Sequence, residues 1–184
     1  MISINQKIRI ATILPYKENY TFSRAQAAAI WVCDFFKFSK FNKYNYIFGN
    51  TKTKDYLTEN YINIPIQNKK SRFSSTTHEY CKNFISKIKN YNFEIIEIHN
   101  RPQIFNILKK KLDKKFILYF HNDPLSMKGS KSISERLFLL NKADKIIFVS
   151  QWTQERFFKD LDKKLLDKTD VVYPSIHKSK KIFK

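Results

Sequence analysis

The sequence predicts a doubly wound α/β domain built on a mostly parallel sheet, the Rossmann-like arrangement, and three features carry that reading. Strand-like and helix-like segments alternate along the whole chain. The strand-like segments are continuous apolar runs more often than strict alternations, as strands buried on both faces are. Two of the runs, IIEIHNRP at 95–102 and ILYFHNDP at 117–124, end alike on a His-Asn pair ahead of a proline. In such sheets ligands collect beyond the carboxyl ends of the strands, so two strands that end alike point to a shared edge where a ligand sits.

In chain order, KIRIATIL (7–14) is a compact apolar strand, and SRAQAAAIWVCDFFKF (23–38) follows as a helix. Ala27, Ile30, Trp31, Asp34 and Phe35 recur there at helical spacing, which predicts one mostly buried face. YNYIFGN (44–50) is the next strand, and YINIPI (61–66) is a short edge strand because Pro65 cannot donate to a ladder. After the polar stretch QNKKSRFSS, a helix is expected from Thr76 to Asn90, with Thr76 and Glu79 at capping-box spacing. FEIIEIHN (93–100) is the fourth strand, and RPQIFNILKKKLD a helix with Pro102 in its first turn, where proline is tolerated. KFILYFHN (115–122) is the fifth. Ser132 and Glu135 form a second capping box ahead of a helix through ERLFLLNKA, and KIIFVS (145–150) is the sixth strand. A helix capped by Ser150, a solvated helix end at LDKKLLDKTD and a last strand, DVVYPS (170–175), close the series. The expected organisation is one domain over 1–175 and a basic tail over 176–184.

Composition bounds what such a domain does. With 184 residues, 42% of them apolar and 16% aromatic, the chain can bury a sizeable core. Cys33 and Cys81 each stand alone in helix-like contexts, so neither a disulfide framework nor a zinc knuckle is indicated, and a reducing, cytoplasmic setting fits. The longest apolar run near the start, IATIL, is shorter than a signal-peptide core, and no window approaches a bilayer span. The protein is expected to be soluble or, at most, peripheral at the inner face of a membrane. Its net charge of +19 would attract any polyanion, whether nucleic acid, anionic lipid or a phosphorylated substrate. The excess is mostly lysine, which an AT-rich genome produces without selection for binding, and both readings stand at this point.

The chemistry concentrates at the two strand ends. His121, Asn122 and Asp123 should emerge at the ligand edge, where a histidine can hydrogen-bond a hydroxyl or phosphate and Asp123 can orient it. Alternatively, Asn122 and Asp123 cap a turn through their side chains. The echo at His99, Asn100, Arg101 and Pro102 favours function. Arg101 adds a bidentate donor at a helix N-terminus, unless it is merely a surface arginine. A metal held by His99 and His121 lacks a third ligand at suitable spacing, so no metal is expected. With two glycines in the chain, Gly49 and Gly129, no glycine-lined phosphate cradle can form. The loop PYKENYTFSRA is therefore expected to meet the ligand through Tyr20, Thr21, Ser23 and Arg24, with an anion site at the helix N-terminus near Ser23. The helix bearing Trp31, Phe35 and Phe36 fits core packing more simply than a membrane surface. RNA binding ranks below an enzyme because most aromatics fall inside strands and helices, and nucleic acid is not the expected partner.

The runs EIIEIHNRPQIFNIL and FILYFHNDPLSMKGSKSISERLFLLNKADKIIFVSQWTQERF resemble the N-terminal half of the retaining GT-B glycosyltransferases of glycosyltransferase family 4. The family's strand ending in histidine is matched at His121, and its A-D-x-I-I-x-V-S stretch by Ala143 to Ser150. The HNRP and HNDP features are similar to a sub-group that builds cell-surface polysaccharide or lipopolysaccharide. The resemblance implies an acceptor-side domain facing a second, nucleotide-sugar domain across a cleft. His121 would hydrogen-bond the transferred sugar, Tyr20 to Arg24 would line the acceptor and phosphate side, and Ser150 and Gln151 would sit at the cleft floor. The partners implied are a nucleotide-sugar donor, serving as co-substrate with no further cofactor, and a glycan or lipid-linked acceptor. Departures are the glycines usual after the first strand, replaced by TFSRAQA, and the family's E-x7-E motif, which belongs to a C-terminal half that would begin where YPSIHKSKKIFK ends the sequence. The chain is thus expected to be inactive in sugar transfer without that half. The competing reading is a non-catalytic basic module for nucleic acid or anionic membrane.

Overall fold

The structure, a computed structural model, describes residues 8–66 and 75–174. Among these residues seven strands form one all-parallel sheet: β1 (Ile10–Ile13), β2 (Asn45–Gly49), β3 (Tyr61–Asn63), β4 (Ile95–His99), β5 (Lys115–Phe120), β6 (Lys145–Phe148) and β7 (Thr169–Val171). Their order is β3-β2-β1-β4-β5-β6-β7, so the direction of winding reverses between β1 and β4. That reversal is where an open α/β sheet forms a crevice. β3 is an edge strand, as expected, and it ends at Asn63, two residues before Pro65. Among the described residues, five α-helices connect the strands: α1 (Ala27–Phe38), α2 (Thr76–Ile88), α3 (Pro102–Lys109), α4 (Ile133–Lys142) and α5 (Gln151–Phe157).

The helices divide unequally. Apolar residues of α2, α3, α4 and α5, among them Phe84, Phe105, Leu139 and Phe157, pack on one sheet face against Ile13, Phe48, Ile98, Leu118 and Phe148. On the other face, α1 presses Ala29, Val32 and Cys33 against Ile47 and Tyr61 in a smaller core. Among the described residues, α1 is the helix on that face; beside it Ile95, Glu97, Ile117 and Tyr119 line an open hollow with Phe35, Phe38 and Phe41.

The structure corrects three local expectations. Helix α1 starts at Ala27, four residues later than expected, and buries Ala28, Ala29, Val32 and Cys33 instead of the stripe Ala27, Ile30, Trp31, Asp34 and Phe35. Small side chains let the helix lie close on the sheet, which turns the bulky stripe sideways; Ile30 is 48% exposed. The cap of α2 is Ser75, whose side chain accepts from the His78 N–H, so Thr76 is the first helical residue and the Thr76–Glu79 box does not form. The solvated helix end is a 3-10 segment, Lys163–Lys168. The capping box of α4 (Ser132, Glu135), the Ser150 cap of α5 and the first-turn proline of α3 match expectation; at α5 the cap is completed into a box by Thr153. The stretch 67–74 and the basic tail 176–184 lie outside the described residues.

Candidate functional site

The two His-Asn corners meet because β4 and β5 are neighbours with a fixed register. His99 lies opposite Tyr119, so His121 falls two residues further along. A two-residue offset keeps both imidazoles on one sheet face, and they touch: His99 Nδ1 and His121 Nε2 are 2.8 Å apart. Between neutral rings one hydrogen serves that contact, which leaves His121 Nδ1 as the ring nitrogen not engaged by His99. Asn100 holds the corners together. Its backbone takes the left-handed conformation, φ 57°, which turns the chain out of β4, and its Oδ1 accepts hydrogen bonds from the backbone N–H groups of His121 and Asn122 at 3.2 and 3.3 Å.

Beneath the pair the environment is apolar and aromatic. His99 is buried and stacks on Tyr119, ring centres 4.4 Å apart. The indole of Trp31 lies edge-on to His121 at 5.2 Å and tilted to His99 at 5.6 Å. Burial pushes His121 down to about 4, and burial, with a smaller contribution from His121, holds His99 well below the usual histidine range. Both rings are therefore neutral at physiological pH, able to exchange hydrogen bonds but carrying no charge. Deeper still, Tyr119 Oη donates to Glu97 at 3.2 Å and Thr12 Oγ1 lies 2.7 Å from Glu97 and 2.9 Å from Asn45 Oδ1. Thr12 has one hydroxyl hydrogen for two acceptors. Burial raises the Glu97 carboxyl, opposed by the hydrogen bonds from Thr12 and Tyr119.

His121, Asn100 and Asn122 open on a cavity of about 730 Å³ whose opposite wall is the displaced stripe of α1: Ala27, Ile30, Trp31 and Asp34. Glu18 and Gln26 line it from the loop after β1, Val149 and Pro174 from the far side. The N-terminus of α1 is not an open anion site, contrary to expectation. Glu18 occupies it, its Oε1 accepting from Ala29 N at 3.2 Å. Desolvation raises the Glu18 carboxyl, opposed by the Ala29 and Ala28 amides and by Arg101. A second cavity, of about 540 Å³, lies across Asn100 and Asn122 on the α2–α3 side, with Arg101 in its wall.

The remaining sequence candidates lie elsewhere. Tyr20 is fully buried, stacked on Tyr61 and bonded to Thr58, so it is not available to a ligand; Thr21 is buried too. Ser23 bonds Asp55 through Oγ at 3.0 Å, and the exposed Arg24 lines neither cavity. The reason is that 20–24 is stitched to 55–57 by backbone bonds, Phe22 N to Asp55 O and Leu57 N to Tyr20 O, and Tyr20 is held on the β2–β3 side by Thr51 and Tyr61. Asp123 is committed to a bidentate pair with Arg156 (2.9 and 3.3 Å) and to the Leu125 N–H, so it caps a turn. Ser150 caps α5, and Gln151 is exposed outside both cavities. Sequence reasoning missed Glu18, Gln26 and Asp34 as cavity residues. The available signal was the apolar stripe containing Asp34, which was assigned to the core. Among the described residues no cluster of three or more His, Cys, Asp or Glu side chains is arranged to hold a metal ion, and no helix is long and apolar enough to cross a membrane.

Comparison with known proteins adds a family. The model of the family described as Glycosyltransferase Family 4 matches residues 47–180. Solved structures with the same fold include sucrose-phosphate synthase (tll1590) from Thermosynechococcus elongatus, 12% identical with a TM-score of 0.59 over 90% of this chain and 48% of that one. A glycosyltransferase from Rickettsia africae ESF-5 is 15% identical with a TM-score of 0.59, over 91% and 43%. Anabaena Alr3699/HepE, solved in complex with UDP, is 11% identical with a TM-score of 0.57, over 92% and 44%. At these identities the likeness bears on the fold, and the chain spans about half the length of these three proteins. Among curated protein sequences no match is found.

Proposed function

The chain belongs to glycosyltransferase family 4, and from that membership we propose that it supplies the acceptor-side lobe of a retaining glycosyltransferase that uses a nucleotide-sugar donor. The observation that carries this reading is the His99–His121 pair, set at the carboxyl edge of the sheet beside the winding reversal and opening on a cavity of about 730 Å³. That cavity suits a sugar. Trp31 and Ile30 offer apolar surface to ring C–H groups, while Asn100, Asn122, Gln26 and the carboxylates of Glu18 and Asp34 offer partners to hydroxyls.

His121 contributes a neutral, oriented imidazole. Its Nε2 is fixed by His99, so Nδ1 is free to hydrogen-bond a hydroxyl of the transferred sugar as charge develops at the anomeric carbon. Trp31 packs edge-on against that ring and Tyr119 stacks on His99 behind it, which holds the imidazole in place. A second lobe would bind the nucleotide and stabilise the departing diphosphate, so neither a pair of spaced carboxylates nor a resident metal is invoked on this side. The acceptor in this reading is a cell-surface glycan or a lipid-linked one.

The test pairs the chain with a C-terminal lobe of the family and follows sugar transfer from labelled donor. His121→Ala should lower kcat about 100-fold or more while moving the thermal midpoint little. Equal turnover in parent and variant would remove His121 from the chemistry, and vigorous transfer by the 184 residues alone would contradict the two-lobe reading.

A further inference from the structure

The open hollow beside α1 is a consequence of topology. The steps from β4 to β5, β5 to β6 and β6 to β7 all move in one direction across the sheet, so right-handed crossovers set α3, α4 and α5 on one face. The step from β1 to β2 moves the other way and sets α1 on the opposite face, against Ile47 and Tyr61. Ile95 and Ile117, although they belong to inner strands, are therefore only half-buried. With Ile10 they form the sheet side of a hollow of about 510 Å³, and Phe35 and Phe41, 47% and 39% exposed, border it from α1 and the turn after it. The polar groups around it already have partners: Glu97 lies 3.2 Å from Tyr119 Oη and 2.7 Å from Thr12 Oγ1, and the Lys40 ammonium lies over the Phe41 ring. A ligand in this space gains chiefly by burying CH₂ groups against isoleucine and phenylalanine.

The hollow adjoins the cavity of the histidine pair. Asp34 lines both. Trp31 stands between them, its ring centre 5.2 Å from that of His121, 5.4 Å from that of Tyr119 and 5.1 Å from that of Phe35, on which it stacks. A sugar beside His121 is thus separated from the apolar hollow by the width of one indole, and the Trp31–Phe35 stack supplies a continuous aromatic surface from one to the other.

We propose that this hollow holds a hydrocarbon chain of the acceptor, which makes the acceptor a lipid-linked sugar with its chain attached close to the accepting hydroxyl. The inference rests on the reading of the chain as an acceptor-side lobe, and it decides between the glycan and the lipid-linked acceptor that this reading leaves open.

The experiment titrates the isotopically labelled 184-residue chain with methyl, butyl, hexyl and octyl β-glucosides, each below its micelle concentration, and follows amide and methyl shifts. Affinity should rise about threefold per added methylene, with saturable shifts at Ile10, Ile95, Ile117 and Tyr119 that grow with chain length. Phe35→Ser and Phe41→Ser, each checked for an unchanged thermal midpoint, should weaken octyl glucoside about tenfold and leave methyl glucoside as it is. Phe22→Ser, which removes an exposed phenylalanine outside both cavities, should change neither. Equal affinity for the methyl and octyl compounds, or a chain-length gain that survives both substitutions, would overturn the proposal. So would silence at Ile117 and Tyr119 with every glucoside, which would mark the hollow as a face closed in solution by a second copy of the chain. Repeating the titration with the C-terminal lobe present separates the remaining occupant: octyl glucoside excluded by that lobe would make the hollow an interlobe contact and overturn the proposal as well. Chain-length-dependent binding with no sugar transfer in the paired-lobe assay would retire the transferase reading alone; transfer without chain-length-dependent binding would retire this inference alone.

Discussion

The two cavities on either side of Asn100 and Asn122 share a wall and almost nothing else. The one facing α1 holds a neutral imidazole, two carboxylates, an indole and aliphatic surface and, among the described residues, no cation. The one facing α2 and α3 holds three cations, Lys17, Arg101 and Lys128, and a helix N-terminus and, among the described residues, no carboxylate. The division follows from the sheet. Side chains alternate across its plane, so a strand end sends its imidazole to one face while the loop that continues it delivers Arg101 or Lys128 to the other. One edge thereby carries two cavities of contrasting lining that meet at Asn100 and Asn122.

The comparison depends first on the shared wall. Asn100→Ala would force a left-handed backbone on a residue that resists it and strip two backbone N–H groups of their acceptor, a loss of about 2–4 kcal/mol. Thermal or denaturant unfolding should show it, together with altered amide shifts in the walls of both cavities. Asn100→Gly relieves the backbone strain and should fall between. Damage confined to one cavity would mean that the two are not coupled through this residue.

The next effect separates the cavities by pH. The pair His99 and His121 has folded values below the ordinary 6.5, that of His121 at about 4. The unfolded chain then binds more protons than the folded one between those values, so this contribution to stability is intact above about pH 6.5 and is lost as pH falls toward 4, at about 1.4 kcal/mol per unit of depression. The rings face each other, Trp31 and Tyr119, with Glu97 beyond Tyr119 contributing in the opposite direction. His121→Gln should flatten the slope of stability against pH in this window relative to the parent. Trp31 emission should change near pH 4 in a Trp152→Phe background and not when His121 is also replaced.

The smallest effect concerns Glu18. Its carboxyl is raised by burial despite two amide donors, so its charge is a net burden to the folded state at neutral pH. Glu18→Gln keeps an acceptor for Ala29 and should leave stability unchanged or higher by up to about 1 kcal/mol, read as a thermal midpoint. A marked drop would show that the charge itself anchors α1 and shapes the first cavity.

Much of this molecule was legible beforehand, for physical reasons that differ by element. The apolar strands at 95–99 and 115–120 mark the middle of a parallel sheet, although Ile95 and Ile117 border an open hollow on the α1 face, and the Ser132–Glu135 box starts a helix. The His-Asn echo was readable as an edge because proline closes both strands. The loop after β1 was not readable. Tyr20 to Arg24 looked like ligand groups, but their partners, Asp55 and Thr58, lie more than thirty residues away, and no local pattern announces such stitching. The stripe on α1 misled for a related reason. Periodicity says that a face is apolar, not whether a sheet or a cavity covers it.

By itself the sequence determined which segments are strands and helices and that two histidines end neighbouring runs, because apolar periodicity and capping are local. Tertiary structure alone decided that those imidazoles share a hydrogen, that Glu18 fills the end of α1, and that three distant cations ring one hollow. Each depends on strand order and register, which bring residues together only after the sheet has formed.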